Sequence, residues 1–204
     1  WDGLKWACIG DSITEANSRT SKNYHDYISE DTGIVVENMG KSGSGFMKLN
    51  DSSNAYYQRI SSIPTDADVV TIMASGNDLS LTLGNVTDTG TDTICGCINT
   101  TINNLYSVLP TVRVGIITPI PWESYPPNTD NAMAKYTEAV IQICKNRGIP
   151  CLDLYHSSGL RPWDATFKSL VYTKDNGNGV HPDENGHKLI ASPIKSFLDS
   201  LIGC

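Results

Sequence analysis

Short apolar runs alternate with longer amphipathic stretches along the chain. The runs cover residues 5–9, 34–37, 69–73, 114–118 and 151–154. Each is rich in Val, Ile or Cys and is bounded by Gly, Pro, Asp or Asn, as expected of strands buried on both faces. Between them, apolar residues recur at spacings of three and four. Residues 91–109 carry Ile94, Ile98, Ile102, Leu105 and Leu109, and residues 131–147 carry Tyr136, Val140 and Ile143 before Gly148. Residues 184–201 carry Ile190, Ile194, Phe197 and Leu201, and residues 23–31 precede Gly33. These patterns predict four helices, two of them stopped by glycine. Pro193 is expected to kink the last helix or delay its regular start. Strands alternating with helices imply parallel βαβ units. The predicted fold is α/β: a three-layer, doubly wound, flavodoxin-like sandwich around a five-stranded parallel sheet. The length of 204 residues suits a single domain, 1–204, standing alone or cut from a longer protein.

Two segments break the pattern. Residues 41–54 are rich in Gly, Ser and Asn, and residues 155–180 contain Arg161-Pro162-Trp163-Asp164. Both leave the carboxyl ends of predicted strands, where open α/β sheets bind ligands. Loops of that length are uncommon unless they serve a function.

Composition excludes more than it suggests. Fifteen basic residues against 22 acidic ones give a net charge of −7, and the cations are scattered, which argues against nucleic acid as partner. No apolar run is long enough to span a bilayer. The six cysteines are read as structural thiols ahead of a disulfide bridge, with Cys8 and Cys151 as small buried hydrophobes. Cys95-Gly96-Cys97 is a close pair, but no Cys or His partner completes it at zinc spacing. No metal or cofactor is expected.

The candidate chemistry begins where the first apolar run ends. Gly10-Asp11-Ser12-Ile13 puts a hydroxyl on the turn leaving the sheet edge, which makes Ser12 a candidate nucleophile. A serine needs a base. Of the four histidines, His25 and His187 fall at helical spacing and read as packing groups, and His156 follows the fifth strand. His181 stands apart in Gly179-Val180-His181-Pro182, where the proline keeps it out of helical geometry at the entrance of the last helix. His181 is the candidate base.

These residues belong to a larger constellation. Gly10-Asp11-Ser12, Asn38-Met39-Gly40-Lys41-Ser42-Gly43, Gly76-Asn77-Asp78 and Val180-His181-Pro182 resemble, in order, the four sequence blocks of the SGNH (GDSL-type) hydrolases. The blocks span nearly the whole chain, and each follows the element that the family puts it after. The resemblance implies an oxyanion hole made by the N–H groups of Ser12 and Gly43 and the side-chain amide of Asn77, and it implies ester hydrolysis. Acyl transfer needs such donors where negative charge develops.

Two positions depart from the family pattern. Ser75 stands where the third block usually has glycine. Asn178 stands three residues before His181, where the family has its acid. The first reading is therefore a Ser-His dyad oriented by a carbonyl oxygen, that of Asn178 included. Asp175 is the second, with Gly177 and Gly179 letting the loop fold back. Asp183 or a distant group is the third, although Asp183-Glu184 suit the first turn of a helix. Asp11 and Asp78 are read as fixing their own turns.

Tyr56, Tyr57, Trp122, Tyr125, Asn128 and Trp163 give the irregular segments aromatic faces beside polar groups. They suit a small ester, an acetyl group on a carbohydrate above all, as well as they suit loop anchors. Trp122-Glu123-Ser124-Tyr125-Pro126-Pro127 is placed to wall the cleft. The competing class is a glycan-binding module on an inactive scaffold of this kind, for instance on a bacterial or phage surface protein. The compartment and the oligomeric state are not written in the sequence.

Overall fold

The computed structural model describes residues 1–48, 55–127 and 130–203. Asn128, Cys204 and much of the 41–54 segment lie outside the described residues. The elements run β1 (Lys5–Gly10), α1 (Tyr24–Thr32), β2 (Val35–Gly40), α2 (Tyr56–Arg59), β3 (Val69–Met73), α3 (Ile94–Val108), β4 (Arg113–Ile117), α4 (Ala132–Arg147), β5 (Cys151–Leu152), α5 (Leu154–Ser157), α6 (Ala165–Val171) and α7 (Glu184–Ile202). The strands form one parallel sheet in the order β2-β1-β3-β4-β5. Its central strands are buried on both faces, which is why β1 and β3 read as unbroken apolar runs.

Apolar side chains from the two faces of the sheet form two cores. One packs Ala7, Ile9, Val70 and Ile72 against Ile98 and Ile102 of α3 and Val140 and Ile143 of α4. The other packs Trp6, Cys8, Val69 and Met73 against Tyr24 and Ile28 of α1 and Ile190, Ile194 and Leu198 of α7. This is the three-layer α/β sandwich that the strand–helix alternation predicts. Trp6 sits inside it without an unpaired donor, because its Nε1–H donates to Thr71 Oγ1 at 2.8 Å.

All four predicted helices form. Asn131 and Asp183 cap α4 and α7, and Gly33 and Gly148 end α1 and α4 in the left-handed conformation. The helix α7 begins on time at Glu184 and is assigned without a break through Pro193, so no delayed start is seen. The fifth strand is shorter than expected. Asp153 ends it by capping α5, its Oδ1 accepting from His156 N at 3.1 Å, so Leu154 is helical. The short helices α2, α5 and α6 have too few residues to show a period in the sequence. Cys8, Cys95, Cys97 and Cys144 are buried free thiols, and Cys151 is free and only half-buried. Burial pushes the thiols of Cys8 and Cys97 up to about 12, which keeps them protonated and inert.

Candidate active site

The first turn after β1 is fixed by its own carboxylate. Asp11 Oδ1 accepts from Ile13 N at 2.8 Å, and Asp11 O accepts from Thr14 N at 3.1 Å and Glu15 N at 2.9 Å. Ser12 is left half-buried, with Oγ 2.9 Å from His181 Nε2. On the far side of the ring, His181 Nδ1 lies 2.7 Å from Asp175 Oδ1. A carboxylate only accepts hydrogen bonds, so the proton is on Nδ1 and the Nε2 lone pair faces the serine hydroxyl. Asp175 is 4% exposed. Burial pushes its carboxyl up, but the bonds from His181 and from Val180 N outweigh burial and hold it below its ordinary value. It is therefore ionised at neutral pH, where it can stabilise an imidazolium.

Asn178 is not part of this chain of bonds. It is exposed, and its backbone N–H donates to Asp175 O at 3.1 Å as part of the turn. The group that contacts His181 Nδ1 is a carboxylate six residues upstream of it. Asp183 is engaged elsewhere, accepting from Asn185 N at 2.9 Å and from the Thr173 hydroxyl at 2.6 Å.

Gly43 and Asn77 come off the two strands that flank β1. Gly43 lies in the arm leaving β2, at φ +75°, and among the described residues its N–H has no acceptor. Asn77 lies on the 3₁₀ turn that follows β3. Its Nδ2 donates to Ser44 O at 3.0 Å and lies 3.5 Å from Asp11 Oδ2. Ser75, where the resemblance expects glycine, ties these pieces together. Its Oγ accepts from Asn77 N at 3.1 Å and donates to Asp11 Oδ2. Burial raises Asp11, against the opposing bonds from Ser75 and Ile13.

Asp78 does not serve its own turn. Its carboxylate reaches across to the arm, accepting from Phe46 N at 2.9 Å, Met47 N at 3.1 Å and Lys48 N at 2.8 Å, and also from Tyr136 OH at 3.0 Å. Arg59 is a second brace, with no motif around it in the sequence. Its guanidinium donates to Met39 O, Gly10 O and Ser44 Oγ and so joins the ends of β1 and β2 to the arm. A lone arginine in a short helix carries no pattern in the sequence.

A cleft of about 330 Å³ opens beside Asn77, walled by Trp122, Tyr125, Leu79 and Lys48. The Trp122 indole packs so close to the chain that a Cβ on Gly76 would come within 2.2 Å of Trp122 Cζ2. Tyr56 is not in this cleft: it is wholly buried and donates to Met73 O. His156 pairs with Asp153 and, with Trp163, lines a separate hollow of about 380 Å³ that includes neither Ser12 nor His181. His25 and His187 are buried packing groups, His187 stacked 9° from parallel on Tyr24.

The fold and the sequence blocks define an SGNH-type carboxylic ester hydrolase. The family model for GDSL-like lipases and acylhydrolases matches residues 8–189, and the chain belongs to that family. No curated protein sequence matches it significantly. Among solved structures, a Lactobacillus plantarum protein superposes with a TM-score of 0.84 at 26% identity, over 98% of each chain. A Bacteroides ovatus protein described as a GDSL-like lipase superposes at 0.70 with 15% identity, over 98% of this chain and all (100%) of that one. A family two carbohydrate esterase from Clostridium thermocellum, solved with cellohexaose, superposes at 0.67 with 16% identity, over 98% of this chain and 65% of that one.

Proposed function

We propose that residues 1–204 act as one domain that hydrolyses small acyl esters, acetyl esters of carbohydrates in particular, through a Ser12-His181-Asp175 triad. The observation that carries this is the unbroken line of hydrogen bonds from the Ser12 hydroxyl through the imidazole to a buried, ionised carboxylate. His181 takes the Ser12 proton as Oγ attacks the ester carbonyl, and Asp175 stabilises the imidazolium that forms. The tetrahedral oxyanion is met by the N–H groups of Ser12 and Gly43 and by Asn77 Nδ2. His181 then returns the proton to the leaving alcohol, and water repeats the sequence on the acyl-enzyme.

The substrate assignment is supported by the cleft. It does not include Ser12 or His181, but it adjoins the Asn77 amide, and its volume of about 330 Å³ and its Trp122 and Tyr125 rings suit a sugar carrying a short acyl group better than a lipid chain. The carbohydrate esterase with the same fold is consistent with that choice. A pure glycan-binding module has no use for a carboxylate behind an imidazole that faces a serine. A fluorophosphonate probe tests the nucleophile. It is expected to label the protein at Ser12 and to leave Ser12→Ala unlabelled, and the protein is expected to cleave p-nitrophenyl acetate faster than longer-chain esters. Full activity in Ser12→Ala would end the assignment.

A further inference from the structure

The loop that carries both Asp175 and His181 is not stiff by itself. Between them the chain reverses through three left-handed residues, Asn176 at φ +50°, Gly177 at +79° and Gly179 at +60°. This reversal is what lets a carboxylate six positions upstream reach the ring. Inside the loop, the hydrogen bonds converge on Asp175: Asn178 N to its O, Val180 N to its Oδ2 and His181 Nδ1 to its Oδ1. Glycine-rich chain of this kind has many competing conformations.

Two neighbours grip the same loop from outside. Lys168 on α6 donates through Nζ to Gly177 O at 3.2 Å, and to both carboxylate oxygens of Glu123 at 2.7 and 2.8 Å. Glu123 sits on the loop after β4, and its backbone N–H donates to Gly179 O at 3.1 Å. Gly177 is thereby tied to the ammonium of the ion pair, and Gly179 to the main chain of the residue that supplies its carboxylate. The pair is partly exposed, with side chains 25% and 37% accessible, so its direct contribution to stability is small. Its geometric contribution is not small, because a modest misplacement of a catalytic group costs rate steeply.

We propose that Lys168 and Glu123 are positioning residues that strap the Asp175–His181 loop in place and so hold the imidazole in register with Ser12. Glu123 directly follows Trp122, so the strap also ties the cleft wall to the loop bearing the base. The inference rests on the triad reading above. It explains how this chain keeps an acid at the displaced position: the longer reversal is stabilised by contacts from two other parts of the fold.

The test uses steady-state hydrolysis of p-nitrophenyl acetate by the whole protein, with thermal unfolding measured alongside. Lys168→Met and Glu123→Gln are each expected to lower kcat about tenfold with KM changed less than about twofold, and to slow fluorophosphonate labelling in step. The double variant is expected to be no worse than either single one, because the two act as a unit. Lys168→Arg is expected to recover most of kcat. The melting temperature is expected to stay within a few degrees throughout. Unchanged kcat in Lys168→Met, with Ser12→Ala dead, overturns the strap and leaves the triad standing. Full activity in Ser12→Ala overturns the triad itself. Loss of kcat that follows loss of folded protein, without rescue by arginine, also overturns the positioning role.

Discussion

Replacing Asp78 by asparagine separates the shape of the oxyanion arm from the charge that holds it. The carboxylate is fully buried and takes four donors, two on each oxygen: Met47 N and Lys48 N on Oδ1, Phe46 N and Tyr136 OH on Oδ2. An amide of the same shape keeps one acceptor oxygen. Turned with its nitrogen toward Phe46 and Tyr136, it leaves Phe46 N unpaired, while the Tyr136 hydroxyl, which can also accept, takes a bond from the amide. One unmade bond to a buried donor costs about 1–3 kcal/mol. A neutral amide is easier to bury than the carboxylate, whose proton affinity burial raises, and this offsets part of the loss. The net expectation is about 1 kcal/mol, read as a shift in the urea midpoint at constant slope. Because the freed N–H group belongs to the arm that follows Gly43, kcat on p-nitrophenyl acetate should also fall, by roughly tenfold. A variant within about 0.5 kcal/mol of the parent and equally active would refute the view that Asp78 holds the arm.

Other expectations follow from the same contacts. Asp175→Asn should cut kcat by a factor on the order of 10³–10⁴, while Asn178→Ala stays within about twofold, and comparable losses in the two would restore the carbonyl-oriented alternative. His187 is buried against Tyr24, and burial pushes it down to about 4 from an ordinary 6.5. Below pH 6.5 the unfolded chain takes up a proton that the folded one refuses, so stability is full above that pH and falls towards pH 4. The loss between pH 7 and pH 5 should be about 2 kcal/mol by urea unfolding, and a flat profile at this site, compared with His187→Gln, would disprove it. Gly76→Ala drives a methyl into the Trp122 indole. It should cost about 1–3 kcal/mol and shift tryptophan emission, whereas silence in both would show that the ring moves freely.

What could be read in the sequence was what depends on local order. The five strands declare themselves as apolar runs and the long helices by period, and the ends of α1 and α4 by Gly33 and Gly148. Ser12 and His181 were legible because each sits at a marked boundary, one after a strand and one before a proline. The contact of Asp175 with His181, ranked second to a carbonyl oxygen, depends on three left-handed residues that no spacing rule expresses. Tyr56 was grouped with the cleft aromatics, because burial of a single ring depends on which way its helix faces. Arg59, the reach of Asp78 and the pairing of Glu123 with Lys168 are long-range contacts: 45 residues separate the partners of that ion pair, and 58 separate Asp78 from Tyr136. Side chains that meet across such distances leave no local trace.

Ser12 and His181 are 169 residues apart in sequence and 2.9 Å apart in space. Ser12 follows β1 and His181 precedes α7, and α1 packs on α7 through Tyr24 and His187 to bring them together. On the proposed triad, the serine and the sheet around it are therefore inert until α7 docks on α1, so turnover reports that docking more directly than secondary structure does.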